Sequence, residues 1–213
     1  MLRPIEGFDP HRVMSSASTT QNGANGKQRV LDAAQALFAE GSFGDIGVAL
    51  ILERAGVQAP TLYHHFGDKE GLFLAWAEQT FKRVQDTIHA NTGGDSTIEA
   101  LTRYATTLLI AVDFDLPQVL RDAPRLQRPE SRDIVLGAYM SAVVEPLATI
   151  LVEAVATGEL RAEPLPQMTD VFLGGLLALR GPQMVGGDLA VKASWWCQGF
   201  IRGFAAERTA RFS

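Results

Sequence analysis

A chain of 213 residues, 46% apolar and 20% charged, is long enough to bury a sizeable core and too apolar to stay globally disordered. Its net charge of −5 excludes attraction of nucleic acid through the global field, so any such contact must come from local geometry. The single cysteine, Cys197, rules out an internal disulfide and fits a reducing compartment.

Residues 1–26 open without the apolar core of a signal peptide and end in a run of Ser, Thr, Gln, Asn, Gly and Ala. Such a polar, small-residue stretch has nothing to bury and reads as a flexible arm. The helical period then starts at once. Val30, Leu31, Ala34, Leu37 and Phe38 form one apolar stripe, ended by the turn signals Gly41 and Gly44. Val48, Ile51, Leu52 and Ala55 make a second, shorter stripe that Gly56 stops, and Pro60 suits the first turn of a third helix. Leu62 and Phe66 are its inward pair. Gly67-Asp68 then breaks the chain, and Asp68 is placed to cap a long fourth helix over 69–90.

Helical patterning continues through 97–112, 130–157 (bent at Pro146), 167–183 and 188–208, while 113–129, with prolines at 117, 124 and 129, reads as irregular. No stretch alternates at period two for long enough to make a sheet, so the fold class is all-α. The apolar run 140–157 is broken by Glu145, Pro146 and Glu153, and a membrane-spanning helix needs about 20 apolar residues. The expected location is the cytoplasm.

The informative segment is 55–70. Two short helices joined by a tight glycine turn make a helix-turn-helix, whose second helix can enter a major groove. With Val57, Leu62 and Phe66 turned inward, the third helix presents Gln58, Ala59, Thr61, Tyr63 and His64, which are small or hydrogen-bonding. Lys69 opens the fourth helix, where its charge and the free N–H groups can hold a phosphate. His64 and His65 are neighbours on a helix and do not share a face, which disfavours a joint metal site. No carboxylate pair or metal-ligand cluster suggests catalysis, Cys197 has no nearby base, and neither a cofactor nor a metal is expected.

This segment resembles the N-terminal domain of the TetR (tetracycline-repressor-like) family of transcriptional regulators. Ala55, Gly56, Val57, Thr61, Leu62, Tyr63, His65, Phe66, Lys69, Glu70 and Leu72 match the family string at fixed spacing, and the helix carrying Ala33, Ala34, Leu37 and Phe38 fits ahead of it. The resemblance implies a homodimer that reads a palindromic double-stranded operator. Thr61, Tyr63 and Lys69 would meet phosphates, Ala59, Pro60 and His64 would face the groove or its edge, and Lys27 and Arg29 would sit where the family's N-terminal arm can reach DNA. It further implies three regions: an arm at 1–26, a helix-turn-helix domain at 27–75, and an effector-binding and dimerisation domain at 76–213. A small, hydrophobic effector would sit among Trp76, Tyr104, Leu108, Phe114, Tyr139, Val143 and Phe172. The dimer seam would use Phe172, Leu176, Leu179, Trp195, Trp196, Phe200 and Phe204.

The chain departs from the family string in places. Ile46, Gly47, Ala49 and Leu50 stand where polar or basic residues are usual, and Gln58 replaces a better capping residue. Residues 27–70 hold four basic side chains against six acidic ones, a net charge of −2. These features motivate an alternative reading, a relative that does not bind DNA and acts as a protein-interaction or ligand-sequestering module.

Overall fold

The computed structural model describes residues 10–91, 93–94, 96–112, 114–180 and 188–206, with side chains from residue 25 onward. Two compact units follow one another along the chain, Met1–Trp76 and Ala77–Ser213.

The first unit holds α1 (Pro10–Glu40), α2 (Val48–Ala55), α3 (Ala59–Phe66) and the opening turns of α4 (Lys69–Asn91). α1 extends N-terminally to Pro10, through residues whose composition reads as an arm. Its apolar stripe at Val30, Ala34, Leu37 and Phe38 is buried. Once that stripe seeds a helix, adding further turns costs little per residue even for Ser, Thr and Asn. Ile51, Ala55, Leu62, Leu72 and Phe73 complete the core. Aromatic rings seal one end: Phe38 meets Phe73 edge-on at 5.3 Å and Trp76 at 5.2 Å, while Phe43 lies 4.8 Å from Phe73. Such offset pairs each add roughly 0.5–1.5 kcal/mol beyond burial.

The second unit contains α5 (Thr97–Ala111), α6 (Leu116–Asp122), a 3-10 turn (Ala123–Arg125), α7 (Pro129–Tyr139), a π-helical turn (Met140–Val144), α8 (Glu145–Ala156), α9 (Leu165–Ala178) and α10 (Leu189–Phe204). α5 packs chiefly against α10 and also touches α8 and α9. Its buried side chains are Leu101, Tyr104, Ala105, Leu108 and Leu109. The only extended pairing among the described residues is one antiparallel bridge, Leu160 to Ala205.

The segment expected to be irregular is instead partly helical. Asp115 caps α6 by accepting from the Gln118 amide at 3.0 Å, and Pro117 sits in the first turn, where its missing N–H costs nothing. Pro124 and Pro129 open the 3-10 turn and α7 in the same way. These prolines mark helix starts that composition alone reads as loop. Pro146 is also in a first turn, that of α8, directly after the π turn.

The stretch Pro129–Ala156 contains an 18-residue window of mean hydropathy 1.8, of which 28% is buried. Its inner side carries Val135, Ala142, Val143, Leu147, Leu151 and Ala154, and its outer side exposes Leu136, Met140 and Val152.

Candidate nucleic-acid interface

Gly56 sets the geometry of the helix-turn-helix. It ends α2 at φ 61° and ψ 38°, with its N–H on Glu53 O, and the Val57 amide reaches Leu52 O at 3.2 Å. A left-handed C-cap is the glycine solution to ending a helix. The Arg29 guanidinium donates to Gly56 O at 2.8 Å, and a Cβ on Gly56 would lie 2.5 Å from that guanidinium nitrogen. The left-handed dihedral favours glycine, and a larger residue would also displace the Arg29 guanidinium. α1 is thereby pinned to the turn between α2 and α3.

α3 then sorts its side chains by stripe. Leu62 is fully buried and Phe66 half-buried. Positions four apart share a face, so Ala59 pairs with Tyr63, Pro60 with His64, and Thr61 with His65. Tyr63 is 51% exposed; Gln58, Pro60 and His64 are exposed, while Ala59, Thr61 and His65 are half-buried. Gln58 precedes the helix in extended conformation and makes no side-chain cap.

An open groove of about 750 Å³ runs beside this helix, lined by Asn25, Gly26 and Arg29 from α1, by Gly56, Val57 and Gln58 from the turn, and by Pro60, Thr61, His64 and His65 from α3. Five expected DNA contacts are therefore gathered in one place: Arg29, Gln58, Pro60, Thr61 and His64. Lys27, Ala59 and Tyr63 are outside the groove lining; Lys27 is exposed on α1 and Tyr63 stands on the outer stripe of α3. Asn25, Gly26 and His65 were not expected here. Asn25 is exposed one helical turn before Arg29, which becomes visible only when α1 is continued back through the supposed arm.

Lys69 is placed differently from expectation. Its ammonium donates to Phe43 O at 2.6 Å and Ile46 O at 2.8 Å and lies 4.3 Å above the Phe43 ring. It fastens the loop before α2 onto the start of α4. The α4 N-terminus itself is capped by Asp68, which accepts from the Gly71 amide at 2.7 Å. On the outer side of α2, Leu50 is 45% exposed beside exposed Ala49, Glu53 and Arg54.

The family comparison fits this arrangement. Residues 30–76 match the model described as bacterial regulatory proteins, tetR family. Over this segment the chain is similar to the TetR family. The HTH-type transcriptional repressor AcnR of Corynebacterium efficiens is 36% identical over 76 residues, which are 36% of this chain and 40% of that protein. AcnR of Corynebacterium glutamicum is 33% identical over the same length and shares. The chain thus matches less than half the length of these repressors. Solved structures extend the likeness in fold. PfmR, a TetR family regulator from Thermus thermophilus, has a TM-score of 0.66 at 21% identity and covers 82% of this chain and 97% of its own. FadR from Bacillus subtilis, solved with stearoyl-CoA, has a TM-score of 0.64 at 18% identity, covering 83% and 98%.

In the second unit, several residues expected around an effector do converge. Tyr104 is buried on α5, its hydroxyl donating to Val143 O at 2.7 Å, and its ring lies 6.2 Å from Phe172. Burial holds the Tyr104 phenol well above its ordinary range, with Tyr139 adding to the shift. Tyr139 is raised too, by burial and then by Asp170. Phe114 and Tyr139 both meet Phe81, at 6.0 and 6.3 Å, and Leu108 and Val143 are buried. Trp76 belongs instead to the aromatic cluster of the first unit, because Phe73 and Trp76 lie on one face of α4.

The expected dimer-seam residues divide by burial. Phe172, Leu176, Leu179 and Phe200 lie inside the chain's own core. Trp196 is half-buried and its indole N–H donates to Phe172 O at 3.1 Å; Phe204 stacks on Phe200 at 4.6 Å. Only Trp195, 66% exposed, faces outward, one helical turn after exposed Val191 on α10, while Val171 is exposed on α9. Among the described residues no group of three or more His, Cys, Asp or Glu could hold a metal ion.

Proposed function

We propose that the protein is a ligand-responsive transcriptional repressor that binds a palindromic operator as a homodimer and is released by a small, hydrophobic effector. The observation that carries this reading is the groove that gathers Arg29, Gln58, Pro60, Thr61 and His64 beside an exposed Tyr63. Small and hydrogen-bonding groups on an outward helix suit major-groove approach. The AcnR alignment, to proteins named as repressors, supports the direction of control. FadR was solved with a long-chain acyl-CoA, and the residues expected around the effector are apolar or aromatic, which suits a ligand of similar character.

Dimerisation is supported by the outer faces of α9 and α10. Val171, Val191 and Trp195 are exposed there, and Gly174, Gly199 and Gly203 leave the backbone open, which suits close helix pairing across a two-fold axis. The mechanism is a population shift, in which the effector favours a dimer whose recognition helices no longer match half-sites roughly 34–36 Å apart. The protein acts in the cytoplasm. It performs no catalysis in this reading.

The bonds of Lys69 to Phe43 O and Ile46 O speak against a phosphate role for its side chain. Thr61, Tyr63, Lys27 and Arg29 remain, of which only Lys27 and Arg29 carry charge, so a dimer neutralises about four phosphates and log affinity should fall with log salt at a slope of about −3.6. The deciding experiment is selection of bound sequences from a random duplex pool at low salt. Recovery of a palindrome, lost in Tyr63→Ala, supports the repressor. No enrichment from a folded dimer would favour the second reading, a protein-binding module, for which exposed Leu50 and the net acidity of residues 27–70 speak.

A further inference from the structure

The apolar stretch Pro129–Ala156 carries a stripe that the second unit leaves uncovered. Leu136, Met140, Val144, Ala148 and Val152 follow one another at a spacing of four residues. In a regular α-helix a step of four overshoots one turn by about 40°, so such a series would wind round the axis and into the core. The π turn at Met140–Val144 takes up part of that overshoot. Its closing bond spans five residues, from the Glu145 amide to Met140 O, so the turn holds more of the chain. The stripe therefore stays outside: Leu136 is 42% exposed, Met140 45% and Val152 54%, with Val144 and Ala148 half-buried between them. One position before it lie the buried Val135, Val143, Leu147 and Leu151. One position after it runs a line of small and polar residues, Gly137, Ser141, Glu145, Thr149 and Glu153.

The charge on this face has one sign. Glu130, Asp133, Glu145 and Glu153 are exposed along α7 and α8. The only basic residue of the stretch, Arg132, is half-buried, and its Nε donates to Leu126 O at 2.9 Å. An open groove of about 600 Å³ lies against the stripe, lined by Glu145, Ala148, Thr149, Val152 and Glu153. We propose that this face is a docking surface for a partner protein that presents a basic amphipathic helix, its apolar side on the stripe and its cations on Glu145 and Glu153. A continuous apolar patch with a polar rim marks an interaction site, where scattered apolar residues do not. The rim selects the partner. A second copy paired on the same face would set carboxylates against carboxylates, and an anionic lipid surface would meet them as well. A basic helix laid alongside gains instead. Glu145 and Glu153 are about 12 Å apart along the axis, so lysines or arginines two turns apart reach both while the apolar faces close between them.

The test uses the full chain and two synthetic peptides of about 18 residues, five turns of helix. Both carry one leucine stripe, edged by lysine in the first and by glutamate in the second. Titration calorimetry at low salt should show the lysine peptide binding at least about tenfold more tightly than the glutamate peptide. Met140→Ser combined with Val152→Ser leaves the charge alone and should weaken the lysine peptide by about tenfold or more. Glu145→Lys combined with Glu153→Lys should reverse the preference toward the glutamate peptide, a gain that an unfolded variant cannot show. Failure of wild type to bind the lysine peptide, or binding that both variants retain unchanged, overturns the proposal. So does another occupant of the face. Sedimentation of the free chain that changes in the double serine variant would assign the stripe to a second copy. Flotation with phosphatidylglycerol vesicles that the same variant loses would assign it to a membrane.

Discussion

At the scale of single residues, the first unit depends on two positions whose roles differ in kind. Gly56 combines a left-handed dihedral with a guanidinium 2.5 Å from where a Cβ would stand. Gly56→Ala should therefore cost about 1–2 kcal/mol from the dihedral alone, with more from displacing Arg29. The expected result is a lower thermal midpoint and weaker operator binding together, read by circular dichroism and fluorescence anisotropy. Lys69 matches the family string, yet its ammonium holds two backbone carbonyls of the loop before α2. Hydrogen bonds from a charged donor contribute roughly 1.5–3 kcal/mol each when buried and less where water can substitute. Lys69→Ala should lower stability by about 2 kcal/mol, yet below the transition its salt slope for operator binding should equal that of wild type. Lys27→Ala should do the reverse, leaving the melt alone and reducing the slope by about 2, since the dimer loses one charge from each subunit. A Lys69→Ala protein with normal stability and a shallower slope would return that lysine to the phosphates.

At the scale of elements, the helix-turn-helix was legible because its signals are local: Gly56, Pro60, the inward Leu62 and the cap at Asp68 all act within a few residues. Side-chain destinations were less legible, since Lys69 reaches across 26 residues to Phe43 O and no sequence spacing encodes that partner. The helix α6 was hidden because prolines at 117 and 124 read as breakers, although each is harmless in a first turn. Burial on α9 and α10 was misassigned for a related reason. A helix packed on one side by its own chain shows several apolar residues at similar spacing, and periodicity alone does not say which stripe faces inward. The α9–α10 contact gives a sharp prediction. A Cβ on Gly175 would fall inside van der Waals contact of the Trp196 ring, which is tethered by its N–H to Phe172 O. Gly175→Ala should expel the indole, cost about 1–3 kcal/mol as overpacking does, and red-shift tryptophan emission. Unchanged emission and stability would mean that the helices slide apart without strain.

At the scale of the whole molecule, pH and association test what each unit contributes. Cys197 is buried on α10, and burial pushes its thiol from 9.0 up to about 11, against a smaller lowering by a hydrogen bond with Thr102. The unfolded thiol ionises first, so above pH 9 the unfolded state binds fewer protons and stability falls as pH rises toward 11. A shift of this size corresponds to roughly 2–3 kcal/mol. Tyr104, raised by burial, acts in the same direction above pH 10. Cys197→Ala should therefore flatten the pH dependence of the urea midpoint between pH 9 and 10, where the thiol acts before the phenol.

Association separates the two kinds of residue expected at a seam. Trp195 is 66% exposed, while Phe200 is in the core and Trp195 has no such duty. In a dimer built on α9 and α10, Trp195 becomes a central aromatic anchor, a residue type whose loss typically costs about 2–4 kcal/mol of association energy. That corresponds to roughly 30- to 1,000-fold in the dimer dissociation constant. Trp195→Arg should sediment as a folded monomer with an unchanged melt, and a single recognition helix then loses the second half-site and most operator affinity. Phe200→Ala should instead open a core cavity worth about 3–5 kcal/mol and melt early before association is affected. If Trp195→Arg stays dimeric, the two-fold axis lies elsewhere, and the exposed outer side of Pro129–Ala156, with Leu136, Met140 and Val152, is the next surface to substitute.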